Sequence, residues 1–139
     1  MTSALETVAA FVKFIIAEDM DGALDHYEQS PDTYSLIEGP SASLAGIDGI
    51  RRGWSGWYGA GLRLRSVDFI EGPSETNLGD LSWITAVADT RVTTPTGDRE
   101  IRFAVTWILR NDGVRWRIAH DHYSIPAEDP YGVGDWAHP

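Results

Sequence analysis

Two periodicities divide the chain. Up to Gly61 apolar side chains recur every three or four positions, and from Leu62 they alternate. Leu5, Val8, Ala9, Val12, Ile15 and Ile16 make a helical stripe, and Ser3 with Glu6 has capping-box spacing in front of it. Asp19 or Asp21 can cap a second, short helix through Ala23, Leu24 and Tyr27 that ends before Ser30-Pro31. Thr33 to Glu38 and Ser41 to Leu44 read as short extended pieces around Gly39-Pro40. A third helix runs from Ile47 to Tyr58, carries Ile50, Trp54, Trp57 and Tyr58, and stops at Gly59 and Gly61.

The alternating part predicts strands over about 62–71, 82–94, 99–110 and 115–124, with a polar loop from Gly72 to Asp80. Pro95-Thr96-Gly97-Asp98 and Asn111-Asp112-Gly113 have hairpin chemistry, so the last three strands form an antiparallel meander. Helices first and a meander after them indicate an α+β domain with the helices on one face of the sheet. No internal repeat, low-complexity tract or linker interrupts it, so one domain spans 1–126, with an aperiodic tail at 127–139.

Strand register decides which residues meet. A tight turn at Asp112-Gly113 would pair Leu109 with Trp116, Trp107 with Ile118, Val105 with His120 and Phe103 with His122. That gathers the large apolar side chains on one face, and a turn at Thr96-Gly97 adds Ile84, Ala86, Ala88, Thr90 and Val92. The opposite face would carry Asp89, Arg91, Arg102, Ala104, Thr106, Arg117, Ala119, Asp121 and Tyr123, with Trp83 towards one end. Such a face is either solvated and tied by ion pairs or the lining of a polar pocket.

Composition narrows the function. A net charge of −10 opposes non-specific nucleic-acid binding, which needs a basic footprint. No apolar run approaches the roughly 20 residues of a membrane span, and no signal peptide is evident, so the expected location is the cytoplasm. Absence of cysteine excludes disulfides, thiolate metal sites and a cysteine nucleophile. His120 and His122 alternate on one strand, but no third ligand has matching spacing, so no metal is expected. Six tryptophans suit either an aromatic core or a small-molecule pocket.

The chain resembles SnoaL-like members of the nuclear transport factor 2-like superfamily. The resemblance lies in Glu18-Asp19-Met20-Asp21-Gly22 after the first helix and in Gly46-Ile47-Asp48-Gly49-Ile50 opening the third. The ending Trp116-Arg117-Ile118-Ala119-His120-Asp121-His122-Tyr123-Ser124-Ile125-Pro126 carries most of it. The W-x-x-x-H-x-H-x-S pattern there is also similar to the association domain of calmodulin-dependent protein kinase II.

This resemblance implies a cone-shaped α+β barrel, a strongly curved sheet wrapped around the N-terminal helices with a pocket between them. It implies that Ala119, Asp121 and Tyr123 face the cavity. It also implies a homodimer through the outer sheet face, burying Phe103, Val105 and Trp107. By analogy with the polyketide cyclases of the family, Asp121 is the expected general base. Asp89 beside it would raise its pKa, Arg91 or Arg102 would oppose that, and Tyr123 is a candidate proton donor. A structural Asp–Arg pair fits the same residues.

The ketosteroid isomerase pattern is not met. Its oxyanion tyrosine falls on Phe11 and its second donor on Ala104, while its base falls near Glu38 or Gly39, which keeps Glu38 as a candidate. Trp54, Trp57, Tyr58 and Trp83, with Arg91, Arg102 and Thr106, complete the expected ligand-binding set. The expected activity is a cofactor-independent isomerase, cyclase, dehydratase or epoxide hydrolase acting on a hydrophobic oxygenated molecule. A non-catalytic dimeric binding or association module is the alternative.

Overall fold

The structure, a computed structural model, describes residues 2–139. Helix α1 spans Ala4–Ile16, and Ser3 caps it by accepting the Glu6 backbone N–H at 3.0 Å. Helix α2, Met20–Leu24, is capped by Asp19 rather than Asp21, through Gly22 N–H at 2.9 Å. Helix α3 spans Gly46–Gly59. The strands are β1 (Tyr34–Leu36), β2 (Ser43–Ala45), β3 (Arg63–Leu78), β4 (Leu81–Thr94), β5 (Gly97–Asn111) and β6 (Trp116–Ser124).

The six strands form one curved sheet in the order β2-β1-β6-β5-β4-β3, with β2 and β3 as open edges. The meander β3-β4-β5-β6 is antiparallel, whereas β1 lies parallel to β6, opposing Ser35 to Asp121. The helices pack on the sheet's inner face. Val8, Phe11 and Ile15 of α1 and Ile50 of α3 meet Ile84, Val105, Trp107, Leu109 and Ile118 of the sheet in one buried cluster. Each large aliphatic side chain removed from water there contributes roughly 1.5–3 kcal/mol.

Three expectations change. The segment expected as a polar loop, Gly72 to Asp80, is mostly strand: β3 continues through it, tolerating Pro73 by register shifts at Phe69/Glu71 and Glu71/Ser74. The β4–β5 turn is Pro95-Thr96 rather than Thr96-Gly97, so Arg102 opposes Asp89 and Arg91 opposes Glu100. The β5–β6 register also moves. Asn111 pairs with Trp116 across a four-residue turn in which Asp112 accepts the N–H groups of Val114 and Arg115, both at 2.9 Å. Further along, Leu109 pairs with Ile118 but Ile108 pairs with His120, leaving Ala119 as a bulge.

That bulge resolves the face assignment. Regular alternation would send Ile118 and Asp121 to opposite faces; one extra residue lets both point inward with Trp107 and Leu109. The apolar face of β4 and β5 is therefore the inner face, and the expectation that Phe103, Val105 and Trp107 lie on an outer, partner-covered face is corrected. Val105 is 7% and Trp107 3% exposed within the single chain.

Candidate functional site

Phe11, Val12 and Ile15 of α1, Trp54 and Trp57 of α3, and inward residues of β3, β4 and β5 enclose a cavity of about 410 Å³. Its walls are almost entirely apolar. Its polar lining consists of a hydroxyl cluster of Tyr27, Ser35 and Tyr123, the exposed side chains Glu38 and Arg99, and Thr90 and Thr94, whose hydroxyls donate to the Ile101 and Gly97 carbonyls.

The hydroxyl cluster surrounds Asp121, whose solvent exposure is zero. Ser35 Oγ donates to its Oδ1, while Tyr27 Oη and Tyr123 Oη donate to Oδ2 at 2.5 and 2.9 Å. Behind Tyr123, the Trp107 indole N–H donates to its hydroxyl at 3.1 Å. The placements follow from the fold: parallel pairing of β1 sets Ser35 beside Asp121, and Tyr27 reaches it from just after α2, where it bridges to Ile118. Asp121 itself does not line the cavity; the three side chains that hold it do.

Burial pushes the Asp121 carboxyl above its ordinary value, while hydrogen bonds from Ser35, Tyr27 and Tyr123 pull the other way. Among the described residues no arginine or lysine is paired with it. Tyr27 and Tyr123 are pushed well above the usual phenol range, first by burial and then by the Asp121 charge. Neither is a source of tyrosinate. What the cluster offers is a carboxylate wrapped in neutral hydroxyls, an arrangement able to pass a proton inward without charging a tyrosine.

The sequence-predicted residues divide sharply. Tyr123, Glu38, Trp54 and Trp57 line the cavity, and Asp121 lies directly behind it. Asp89, Arg91, Arg102, Thr106 and Trp83 do not: the observed register puts them on the outer face. There Asp89 pairs with Arg102 at 2.8 Å and Arg91 with Glu100 at 3.1 Å as exposed ion pairs. The Arg102 guanidinium holds the Asp89 carboxyl below its ordinary value, so Asp89 has no effect on Asp121 of the kind expected. Tyr58 turns away as well; its hydroxyl donates to the Ile15 carbonyl at 3.0 Å and its ring lies under Arg63.

His120 stacks on Tyr34 and bonds that residue's carbonyl through Nδ1 at 2.9 Å, while His122 is exposed. Among the described residues no cluster of three histidine, aspartate or glutamate side chains is placed to share a metal.

Sequence reasoning missed Tyr27, Ser35 and Arg99. Tyr27 lies 94 and Ser35 86 positions from Asp121, too far for any local spacing to link them. Arg99 carried a legible signal: the true register makes it the charged member of an otherwise uncharged inner face of β5.

A family model described as a SnoaL-like domain matches residues 4–128. Among solved structures, a nuclear transport factor 2-like superfamily protein from Salmonella enterica serovar Typhimurium superposes with TM-score 0.78 at 17% identity, covering 93% of this chain and 92% of that one. A putative calcium/calmodulin-dependent protein kinase type II association domain from Thiobacillus denitrificans gives 0.72 at 20%, covering 91% and 98%. A ketosteroid isomerase-like protein from Erwinia carotovora gives 0.72 at 12%, covering 87% and 92%. No curated protein matches by sequence. At these identities the structural likeness speaks for the fold, and it agrees with the family match over nearly the whole chain. The protein belongs to the SnoaL-like domain family.

Proposed function

We propose that the cavity binds a hydrophobic, oxygenated small molecule and that Asp121 is the final proton acceptor of an acid–base reaction on it. The supporting observation is the buried Asp121 carboxylate, which among the described residues has no arginine or lysine partner, held by three hydroxyls that themselves line the apolar cavity. A ligand proton passes to the oxygen of a lining hydroxyl as that hydroxyl's own hydrogen passes to Asp121. The relay residue stays neutral throughout, and the ligand keeps the electron pair. Isomerisation, cyclisation, dehydration or epoxide opening can each use such a step.

The test is turnover of a panel of hydrophobic ketones, enols and epoxides by wild type and by Asp121→Asn. Loss of about 10²–10⁴-fold in kcat with retained ligand affinity is expected, the usual worth of a general base. A folded Asp121→Asn protein with full turnover would remove the mechanism.

A second reading has its own support. Asp121 is fully satisfied by protein hydroxyls, which also suits a structural network in a binding or association module. Ligand affinity without turnover across the panel favours that reading, and a homodimer through the outer sheet face belongs with either.

A further inference from the structure

The hydrogen inventory of the cavity's polar cluster says what kind of ligand group it accepts. Ser35, Tyr27 and Tyr123 each give their one hydroxyl hydrogen to Asp121. Tyr123 Oη also receives the Trp107 indole hydrogen, and the Trp54 indole acts on the Tyr27 hydroxyl. Five donors therefore converge on this cluster, and the Asp121 carboxylate takes three of their hydrogens.

A ligand carbonyl or oxyanion brought here finds no free hydrogen and faces the lone pairs of a buried anion. A ligand O–H or N–H does find an acceptor. Among the described residues nothing donates to Ser35 Oγ, which has lone pairs to spare and lines the cavity.

The charged end of the cavity has the opposite character. Arg99 stands on the inner face opposite Val92, exposed and lining the cavity, and among the described residues it has no ion-pair partner. Its sequence neighbours are engaged elsewhere: Glu100 pairs with Arg91, and Asp98 accepts a hydrogen bond from Thr93. A buried anion at one place and a free guanidinium at another orient a polar ligand. The remaining walls are aliphatic and aromatic apart from Thr90 and Thr94, whose hydroxyl hydrogens go to the Ile101 and Gly97 carbonyls.

We infer that the cavity takes an elongated apolar hydroxy acid, its hydroxyl inward on Ser35 Oγ and its carboxylate outward on Arg99. The inference rests on the small-molecule reading above and gives it a substrate class. The inward hydroxyl is also the group whose proton the Ser35–Asp121 relay is placed to receive.

Binding of three naphthalene probes, measured by calorimetry at neutral pH, tests it: 6-hydroxy-2-naphthoate, its methyl ether 6-methoxy-2-naphthoate, and 2-naphthol. For wild type the hydroxynaphthoate should bind about tenfold tighter than either of the others. Ser35→Ala should abolish the advantage over the methyl ether, and Arg99→Gln the advantage over 2-naphthol. Far-UV circular dichroism and Tm establish that both variants are folded, and exposed Arg99 serves as the control least able to disturb folding.

Equal affinity for the hydroxyl and methoxy probes overturns the inward donor. Equal affinity for hydroxynaphthoate and 2-naphthol overturns the outward anion. Tighter binding of 6-aminomethyl-2-naphthol than of the hydroxynaphthoate assigns the charged end to Glu38 and overturns the proposal too. In these cases 2-naphthol still binds and the small-molecule reading stands; failure of all the probes to bind overturns both.

Discussion

Asp121 holds its charge among neutral donors, and that governs what its replacement does. Asparagine keeps the shape but turns one acceptor oxygen into an NH₂ group, so a donor then faces either Ser35 or the two tyrosines. A buried polar group left unpaired in this way costs about 1–3 kcal/mol. Against that stands the burial that pushes the native carboxyl upward. The two effects separate by pH. A folded pKa above the unfolded one means that the folded protein binds the proton more tightly. The contribution is therefore complete below the unfolded value, about 4, and is lost as pH rises through the folded value. The Tm difference, wild type minus Asp121→Asn, should fall as pH rises from there and level off above the folded pKa. Asp25, Asp89, Asp112 and Asp129, all held below the ordinary range, titrate in the opposite sense but are common to both proteins. A difference that stays flat with pH would mean that burial and the three hydroxyls cancel.

Among the elements, β6 carries the site, and its bulge is the least legible part of the chain. Helix positions were readable because Ser3, Asp19 and the apolar spacing act locally, within one or two turns. The β4–β5 pairing was displaced by two residues, which preserves faces; the β5–β6 pairing failed because one unpaired residue, Ala119, reverses the alternation midway. No local pattern in Ile118-Ala119-His120 announces that reversal. It is decided by tertiary burial, since Ile118 and Asp121 both find inward partners only if the strand is bulged. Of the three residues that the family resemblance turns to the cavity, Tyr123 lines it, Asp121 points inward but lies behind its wall, and Ala119 is the bulge, while the faces inferred for β4 and β5 by alternation are inverted. Deleting Ala119 should turn Asp121 outward or break the strand. Loss of three hydrogen bonds to a charged group, each worth about 1.5–3 kcal/mol, makes this far more damaging than Ser3→Ala, which removes one cap for about 1 kcal/mol. Urea denaturation compares them. Equal midpoints for the two variants would show that the bulge is dispensable.

For the whole molecule, the question is which surface is left for a partner once the apolar face is known to be internal. The tail contributes little: Tyr131 and Trp136 pair with each other and remain 72% and 64% exposed. Removing residues 127–139 should change stability by no more than about 0.5 kcal/mol and leave probe affinity unaltered; a tenfold affinity loss would make the tail part of the cavity. The outer face is different. Val87 lies opposite Ala104, half-buried, with Thr85 and Thr106 beside it and the Asp89–Arg102 and Arg91–Glu100 pairs further along the same strands. An apolar and small-residue centre beside ion pairs is the anatomy of a two-fold interface, with the paired charges suited to a rim. A net charge of −10 works against contact between copies at low salt, so association should strengthen as salt screens it. Light scattering should therefore give a dimer at moderate ionic strength. Val87→Arg, which sets two unpaired cations against each other across the axis, should give a monomer that still binds 2-naphthol. A wild-type monomer at every salt and protein concentration would show the outer face to be solvated, and a Val87→Arg dimer would place the contact elsewhere.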